Sequence, residues 1–390
     1  MPVEPPPSQF QTRAPLVMVT HEFPPHRGGI ATYAAEMARA AVKLGYAMEV
    51  LAPAAPSAVD DEVWPFAVRR LPLKGTHGLA CQWHSTRTLF AERHRLRQAT
   101  LYLPEPGPML ALMLLQFFHA LRPHRLLLTV HGSEILCFRS RPTLRRAAGR
   151  LFASADRIGV VSQFTQSLLL EHFPEAAART VLTPGALRDE FTQSPVPAAV
   201  RPSQDKIVIL TVARLHPRKG QCHLLKALAA LPAAQRAAIE YWIVGAHSKE
   251  NYEAHLRQAA AAVDFPVKFL GDIPDADLGG IYGAADIFAM TSMPHKNSVE
   301  GFGLVYLEAG AHGLPIVAHD IGGVAEAVAG EITGLLVSPD DLPALAAALS
   351  RLIADPALRR RLGDAGRQRA RQHTWLESAT ALFGQPEPRS

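Results

Sequence analysis

Two carboxylates bracket a glycine-flanked turn in the stretch Glu300-Gly-Phe-Gly-Leu-Val-Tyr-Leu-Glu308. Residues 285–292, upstream, read as a buried strand of apolar and β-branched residues; residues 303–312, downstream, have helical composition and stop at Gly313 and Pro315. A strand, a Gly-rich turn and a helix N-terminus make an anion cradle, because the first backbone N–H groups of a helix lack intrahelical acceptors and carry the positive end of its dipole. Gly301 and Gly303 let a ligand approach the backbone closely, with Phe302 and Leu304 completing the turn. Ionised glutamates accept hydrogen bonds and donate none, which suits the hydroxyls of a sugar or a ribose. An anion on the turn and hydroxyls on Glu300 and Glu308 together describe a sugar nucleotide.

Other candidates lie beyond the ends of strands. Residues 206–212 form a strand, and Ala213-Arg214-Leu-His-Pro-Arg-Lys219-Gly220 follows it, placing the cations Arg214 and Lys219 where an anionic ligand would meet them. Residues 126–130 form another strand that ends in His131-Gly132-Ser133, the position at which open parallel sheets hold ligands. The chain opens with a strand at 16–20, a loop carrying Gly28-Gly29, a helix at 31–44 and a strand at 48–52, which is a Rossmann-type start. Gly28-Gly29 lacks the Gly-x-Gly-x-x-Gly spacing of a dinucleotide fingerprint. Taken singly, each feature also has a plain explanation: a solvated cation, a structural histidine, an ordinary turn.

The combination resembles a known family. Glu-Gly-Phe-Gly-Leu-Val-x-Leu-Glu-Ala, followed by Gly-Leu-Pro-Ile-Val-Ala at 313–318, is similar to the signature of family 4 retaining glycosyltransferases. Thr129-x-His131-Gly132 and Arg214-x4-Lys219-Gly220 resemble two further motifs of that family, in the same order, and the resemblance spans about residues 16–383. It implies an α/β protein of the GT-B fold, with two Rossmann-like domains whose parallel sheets face an interdomain cleft. It also implies transfer of a sugar from a UDP- or GDP-linked donor to an acceptor hydroxyl in envelope polysaccharide or glycolipid synthesis. By the same resemblance Glu300 holds hydroxyls of the transferred sugar and Glu308 those of the ribose. Arg214, Lys219 and the turn 301–304 neutralise the diphosphate, and His131 contacts the donor sugar or its phosphate. Gly28-Gly29 faces that phosphate from the N-terminal side, and backbone groups at Gly271 and Ile273 hold the nucleobase. Thr183-Pro-Gly-Ala-Leu187 departs from the Pro-Asn-Gly-Val-Asp of many relatives.

The bounds agree with a two-domain enzyme. At 390 residues, 48% hydrophobic and 19% charged, the chain is long enough for two or three domains with large cores. Its expected layout is a disordered Pro-rich tail at 1–15, an acceptor-side domain at 16–190 and a linker at 191–205. A donor-binding domain at 206–372 and a helix at 373–390 that crosses back complete it. The tail has no apolar core and is neither a signal peptide nor an anchor; the apolar run 109–121 is shorter than a membrane span and reads as a buried helix. Cys81, Cys137 and Cys222 have neither disulfide nor zinc spacing, which fits a reducing cytoplasm.

No cofactor or metal is expected. Asp275-Ala-Asp277 has the Asp-x-Asp spacing of metal-dependent GT-A enzymes, but it reads as an N-cap and first-turn acid of the helix that follows. Residues 1–195 carry 21 Lys+Arg against 15 Asp+Glu, or +6, whereas the remaining residues carry 19 against 20, or −1. A basic first half suits an anionic membrane surface or acidic acceptor, and no aromatic-basic interleaving points to nucleic acid. Arg139, Arg141, Arg145, Arg146 and Arg150, among apolar residues near helical spacing, are the candidate membrane-surface element; a solvated helix face explains them equally. Two other functions fit the same fold: a sugar-nucleotide epimerase and a non-catalytic sugar-nucleotide-binding subunit.

Overall fold

The protein is described from a computed structural model covering residues 14–55, 60–73, 78–116, 122–188, 205–246 and 252–384. Most of the expected linker and residues 1–13 of the expected tail lie outside these ranges, as do 117–121 of the apolar run.

Strands β1 (Leu16–Val19), β2 (Met48–Pro53), β3 (Ala67–Leu71), β4 (Thr100–Leu103), β5 (Arg125–Val130), β6 (Arg157–Val160) and β7 (Thr180–Leu182) form one sheet. Their order is β3-β2-β1-β4-β5-β6-β7. A second sheet contains β8 (Ile207–Val212), β9 (Ile239–Val244), β10 (Val267–Gly271), β11 (Ile287–Met290), β12 (Ile316–His319) and β13 (Gly334–Val337), ordered β10-β9-β8-β11-β12-β13. Every neighbouring pair is parallel. Parallel sheets are covered by helices on both faces, which is why their strands read as unbroken apolar runs. In β1, Leu16 and Met18 enter one core and Val17 and Val19 the other, all buried.

This topology decides where ligands go. The strand order reverses between β1 and β4 in the first sheet and between β8 and β11 in the second, so the crossover helices leave in opposite directions there and open a crevice at the strands' carboxyl ends. Lys219 follows β8 and Glu300 follows β11, and both therefore emerge at the second crevice.

The last described helix, Trp375–Phe383, packs on the first sheet although it follows the second in sequence. A capping box fixes its start, with Thr374 accepting from the Glu377 N–H and Glu377 accepting from the Thr374 N–H. Trp375 meets the Tyr33 ring at 5.4 Å and Phe383 meets Tyr102 at 5.2 Å, both edge to face. Arg157 donates to the Ala381 carbonyl at 2.5 Å and Arg125 to that of Phe383 at 3.3 Å, so two cations satisfy the carbonyl end of the helix.

Two stretches are more broken than their composition suggests. Residues 342–371 form two helices, Leu342–Ala354 and Pro356–Ala370, because Pro356 cannot continue the first and Asp355 caps the second through the Ala357 and Leu358 N–H groups. Residues 139–150 likewise divide between Ser133–Arg139 and Pro142–Ser154, with Pro142 opening the second helix.

Candidate functional site

Glu300 sits at the centre of a buried charge cluster. Its Oε2 accepts from Lys219 Nζ at 2.7 Å, Arg218 Nη1 at 2.7 Å and Ser292 Oγ at 2.9 Å. Burial alone would raise its pKa, but Lys219 and Arg218 overturn that effect and hold it down to about 2. Lys219 moves down from the usual lysine range, because burial and the neighbouring arginines outweigh the attraction of Glu300. The segment that carries Lys219 is locked against β11. Gly220 has φ 71°, and a Cβ there would lie 1.7 Å from the Thr291 carbonyl oxygen, so only glycine fits. Sequence reasoning missed Arg218 and Ser292. Arg218 was visible as the cation next to Lys219, whereas Ser292 has no local signal.

Glu308 lies in the helix Leu304–Ala311, which starts one residue later than its composition suggests because Gly303 is left-handed at φ 91°. Tyr282 donates to it at 3.0 Å and the Arg188 guanidinium lies 3.7 Å away. Burial raises the Glu308 pKa, and Arg188 and Tyr282 offset only part of the rise. Arg188 also pairs with Asp275 at 2.5 Å and thereby brings the segment after β7 into the second sheet's crevice. That residue immediately follows Thr183–Leu187, the stretch where the sequence departs from the Pro-Asn-Gly-Val-Asp pattern, and no motif announced it.

The first sheet closes over the turn. A Cβ on Gly301 would lie 2.1 Å from the His131 carbonyl oxygen, so the turn and the end of β5 touch through bare backbone. Phe302 is buried there, and Leu304 lies against Gly185. The His131 ring packs edge to face on Tyr33 at 5.1 Å, and its Nε2–H donates to the Pro104 carbonyl at 2.9 Å. A carbonyl only accepts, so Nδ1 of the neutral ring is left as an acceptor. Arg27 crosses to Asp272 at 2.8 Å and to the Ile273 carbonyl at 3.0 Å, joining the Gly28-Gly29 loop to the Gly271–Ile273 loop. Within 4 Å, a Cβ on Gly29 or Gly271 would meet nothing and one on Gly28 only Glu22, so this edge is open. Ser133 accepts from the Val299 N–H at 3.0 Å, and Glu326 accepts from the Gln163 and Phe164 N–H groups at 2.7 and 2.9 Å.

Of the remaining sequence candidates, Arg214 is exposed and acts on Lys219 only through its charge. Asp275 and Asp277 are exposed in the first turn of Asp275–Gly283; the N-cap is Pro274, which corrects the capping role expected from sequence. Among the described residues no group of three or more His, Cys, Asp or Glu side chains has metal-binding geometry.

Comparison with known proteins places this geometry. Residues 27–190 match the family described as Glycosyltransferase Family 4 and residues 195–369 that described as Glycosyl transferases group 1. A GDP-mannose-dependent alpha-(1-6)-phosphatidylinositol monomannoside mannosyltransferase of Mycolicibacterium smegmatis is 30% identical over 369 residues, 90% of this chain and 92% of that protein. A D-inositol 3-phosphate glycosyltransferase of Saccharomonospora viridis is 32% identical over 247 residues, 60% of this chain and 56% of that protein. Among solved structures, sucrose-phosphate synthase from Thermosynechococcus elongatus has a TM-score of 0.77 at 23% identity, with 94% of this chain and 96% of that one covered. Anabaena HepE in complex with UDP and glucose has 0.74 at 21%, covering 94% and 97%. The architecture is GT-B, and the cluster at its crevice belongs to a sugar-transferring enzyme. The chain is a member of glycosyltransferase family 4 and a hexosyltransferase; the epimerase and non-catalytic readings are not favoured.

The backbone contact at Gly301 is testable. Gly301→Ala should wedge the turn away from His131, leaving the circular dichroism spectrum unchanged and lowering turnover by about tenfold to a hundredfold, the scale of an ångström-level misplacement. Turnover equal to wild type would show that the contact does not position the turn.

Proposed function

We propose that this enzyme moves a hexosyl group, with retention, from a nucleoside diphosphate sugar to a hydroxyl of a glycolipid acceptor at the cytoplasmic membrane face. The observation that carries the reading is the buried cluster at the β8/β11 crevice, in which one carboxylate, Glu300, is met by two cations. The diphosphate binds Lys219, Arg214 and the N–H groups of the turn 301–304; Arg218 adds a third positive charge. Glu300 holds hydroxyls of the transferred sugar, His131 accepts from that sugar through Nδ1, and Glu308 holds the ribose. The nucleobase lies by Gly271 and Ile273, with Gly28-Gly29 closing over the phosphates. Residues 16–190 supply the acceptor side, 206–372 the donor side, and the segment from 373 returns to the first.

Acceptor attack from the face that the leaving group departs lets a diphosphate oxygen take the acceptor's proton. The main catalytic term is then stabilisation of the leaving diphosphate by fixed cations and amides. The relatives named as GDP-mannose-dependent make that donor the first to test, with UDP-glucose beside it in a thermal-shift panel.

Membrane attachment rests on a second surface. Arg139, Arg141, Arg145, Arg146 and Arg150 are all exposed, and the buried side of Pro142–Ser154 is Ala147, Ala148, Leu151 and Phe152. Helix Pro106–Gln116 packs beside it and Leu79–Ala91 beside that, and together these two expose Leu79, Trp83, Phe90 and Leu114. Arginines beside an apolar stripe suit the headgroup boundary of an anionic bilayer. Among the described residues no helix is long and apolar enough to cross a membrane.

Lys219→Ala, checked for folding, should lower turnover about a hundredfold or more, the loss expected on removing one donor to a developing anion, while wild-type transfer should persist in excess EDTA. A wild-type rate in the variant would refute the diphosphate assignment, and complete, metal-reversible loss in EDTA would return Asp275 and Asp277 to the site. The protein should also sediment with phosphatidylglycerol-containing vesicles but not with pure phosphatidylcholine. Arg145→Glu with Arg146→Glu should release it, and equal binding to both vesicle types would contradict the membrane surface.

A further inference from the structure

Glu300 is held by more than its cations. Ser292, two residues beyond β11, donates its hydroxyl to Glu300 at 2.9 Å, and its own carbonyl accepts from His319 Nδ1 at 2.9 Å. Because a carbonyl only accepts, Nδ1 carries the hydrogen and Nε2 carries the lone pair in the neutral ring. His319 ends β12, the strand beside β11, and is 0% exposed. Its Nε2 is buried without a hydrogen-bond partner, as is Nε2 of His223 on the helix Gln221–Ala229 that follows Lys219. The two rings meet at 5.1 Å with an interplanar angle of 74°.

A buried polar atom with no partner costs free energy that an apolar side chain at the same place would not. The return visible in the structure is the hold on Ser292. The groups facing His319 are the Ser292 carbonyl, His223 and the charge of Asp340, with Lys226 acting on His223. Burial, reinforced by His223, pushes the His319 pKa down to about 4 against the opposing Ser292 carbonyl and Asp340. The ring is therefore neutral at the pH of an ordinary assay, and its Nδ1–H is a fixed donor.

We propose that His319 is a positioning residue for sugar transfer, anchoring the Ser292 carbonyl so that the Ser292 hydroxyl aims the Glu300 carboxylate at the transferred sugar. Through the His223 ring it also braces the helix that leaves Lys219, so both arms of the charge cluster rest on one imidazole. The inference depends on the role given to Glu300 above, and the experiment separates the two.

Steady-state kinetics at saturating acceptor, with whichever of GDP-mannose or UDP-glucose is turned over, compare wild type with His319→Asn, His319→Gln, His319→Leu and Glu300→Gln. Asn places an N–H near the position of Nδ1, whereas Gln reaches past it and Leu offers no donor. The expected result is a kcat within about threefold of wild type for His319→Asn and about ten- to a hundredfold lower for His319→Gln and His319→Leu. Donor KM and the calorimetric Kd for the nucleoside diphosphate should stay within about twofold throughout. A wild-type kcat in His319→Leu, an equal fall in the Asn and Gln variants, or a change confined to KM would overturn the proposal. If Leu fails to fold, the contrast between the two amides decides. A wild-type kcat in Glu300→Gln would instead remove the role of Glu300, whereas an impaired Glu300→Gln beside an unimpaired His319→Gln would remove only that of His319.

Discussion

Two cations share one buried carboxylate, and the site is built around that imbalance. Counting Glu300 as −1 and Lys219 and Arg218 as +1 each, the cluster retains one positive charge, to which Arg214 adds from the surface. At 2.7 Å and an effective dielectric near 20, each contact is roughly 6 kcal/mol of Coulomb attraction before desolvation. Desolvation of buried ions cancels much of such a gain, so the net contribution to stability is well below the Coulomb figure. Its effect is to hold oriented charge in the crevice, which an arriving anion would find already in place.

The two glutamates of the central motif occupy opposite environments although they share one short stretch of chain. Glu300 is kept ionised by adjacent cations, whereas Glu308 is raised by burial beside Tyr282 and a more distant guanidinium. A folded-state pKa of about 2, below the unfolded value, means that Glu300 contributes stability above pH 4.5 that is lost as pH falls toward 2. For Glu308 the shift is upward, so the unfolded state releases its proton first and stability falls as pH rises between the two values. The difference arises from topology, since Glu300 belongs to the loop at the switch point and Glu308 to the helix behind it.

Strand composition and the order of turns made the two parallel sheets legible in the sequence, because buried parallel strands are written as continuous apolar runs. The positions of Glu300, Lys219 and the Gly-rich turn were legible for the same reason: each lies in the loop that leaves the carboxyl end of a strand. Contacts made across the fold were not legible. Arg188 reaches Glu308 from 120 residues away, and His319, on the neighbouring strand, reaches Ser292 from 27 residues away. Helix ends were also misread where a left-handed glycine or a proline decides them, at Gly303, Pro142 and Pro356. The exposed arginines of 139–150 were visible as a run, whereas the exposed Leu79 and Trp83 come from a stretch with no clear period.

The division of labour between Glu300 and Glu308 is the central claim, and kinetics of the two glutamine variants, with donor varied at saturating acceptor and product binding followed by calorimetry, test it most directly. On the proposed roles, Glu308→Gln would remove a contact to the unreactive ribose and weaken ground and transition states alike, so donor KM and nucleoside diphosphate Kd should rise while kcat holds. On the same proposal Glu300→Gln would remove charge beside the sugar whose bond breaks, so kcat should fall while nucleoside diphosphate affinity is retained. Unchanged nucleotide affinity in Glu308→Gln together with its loss in Glu300→Gln would contradict the account and exchange the two roles.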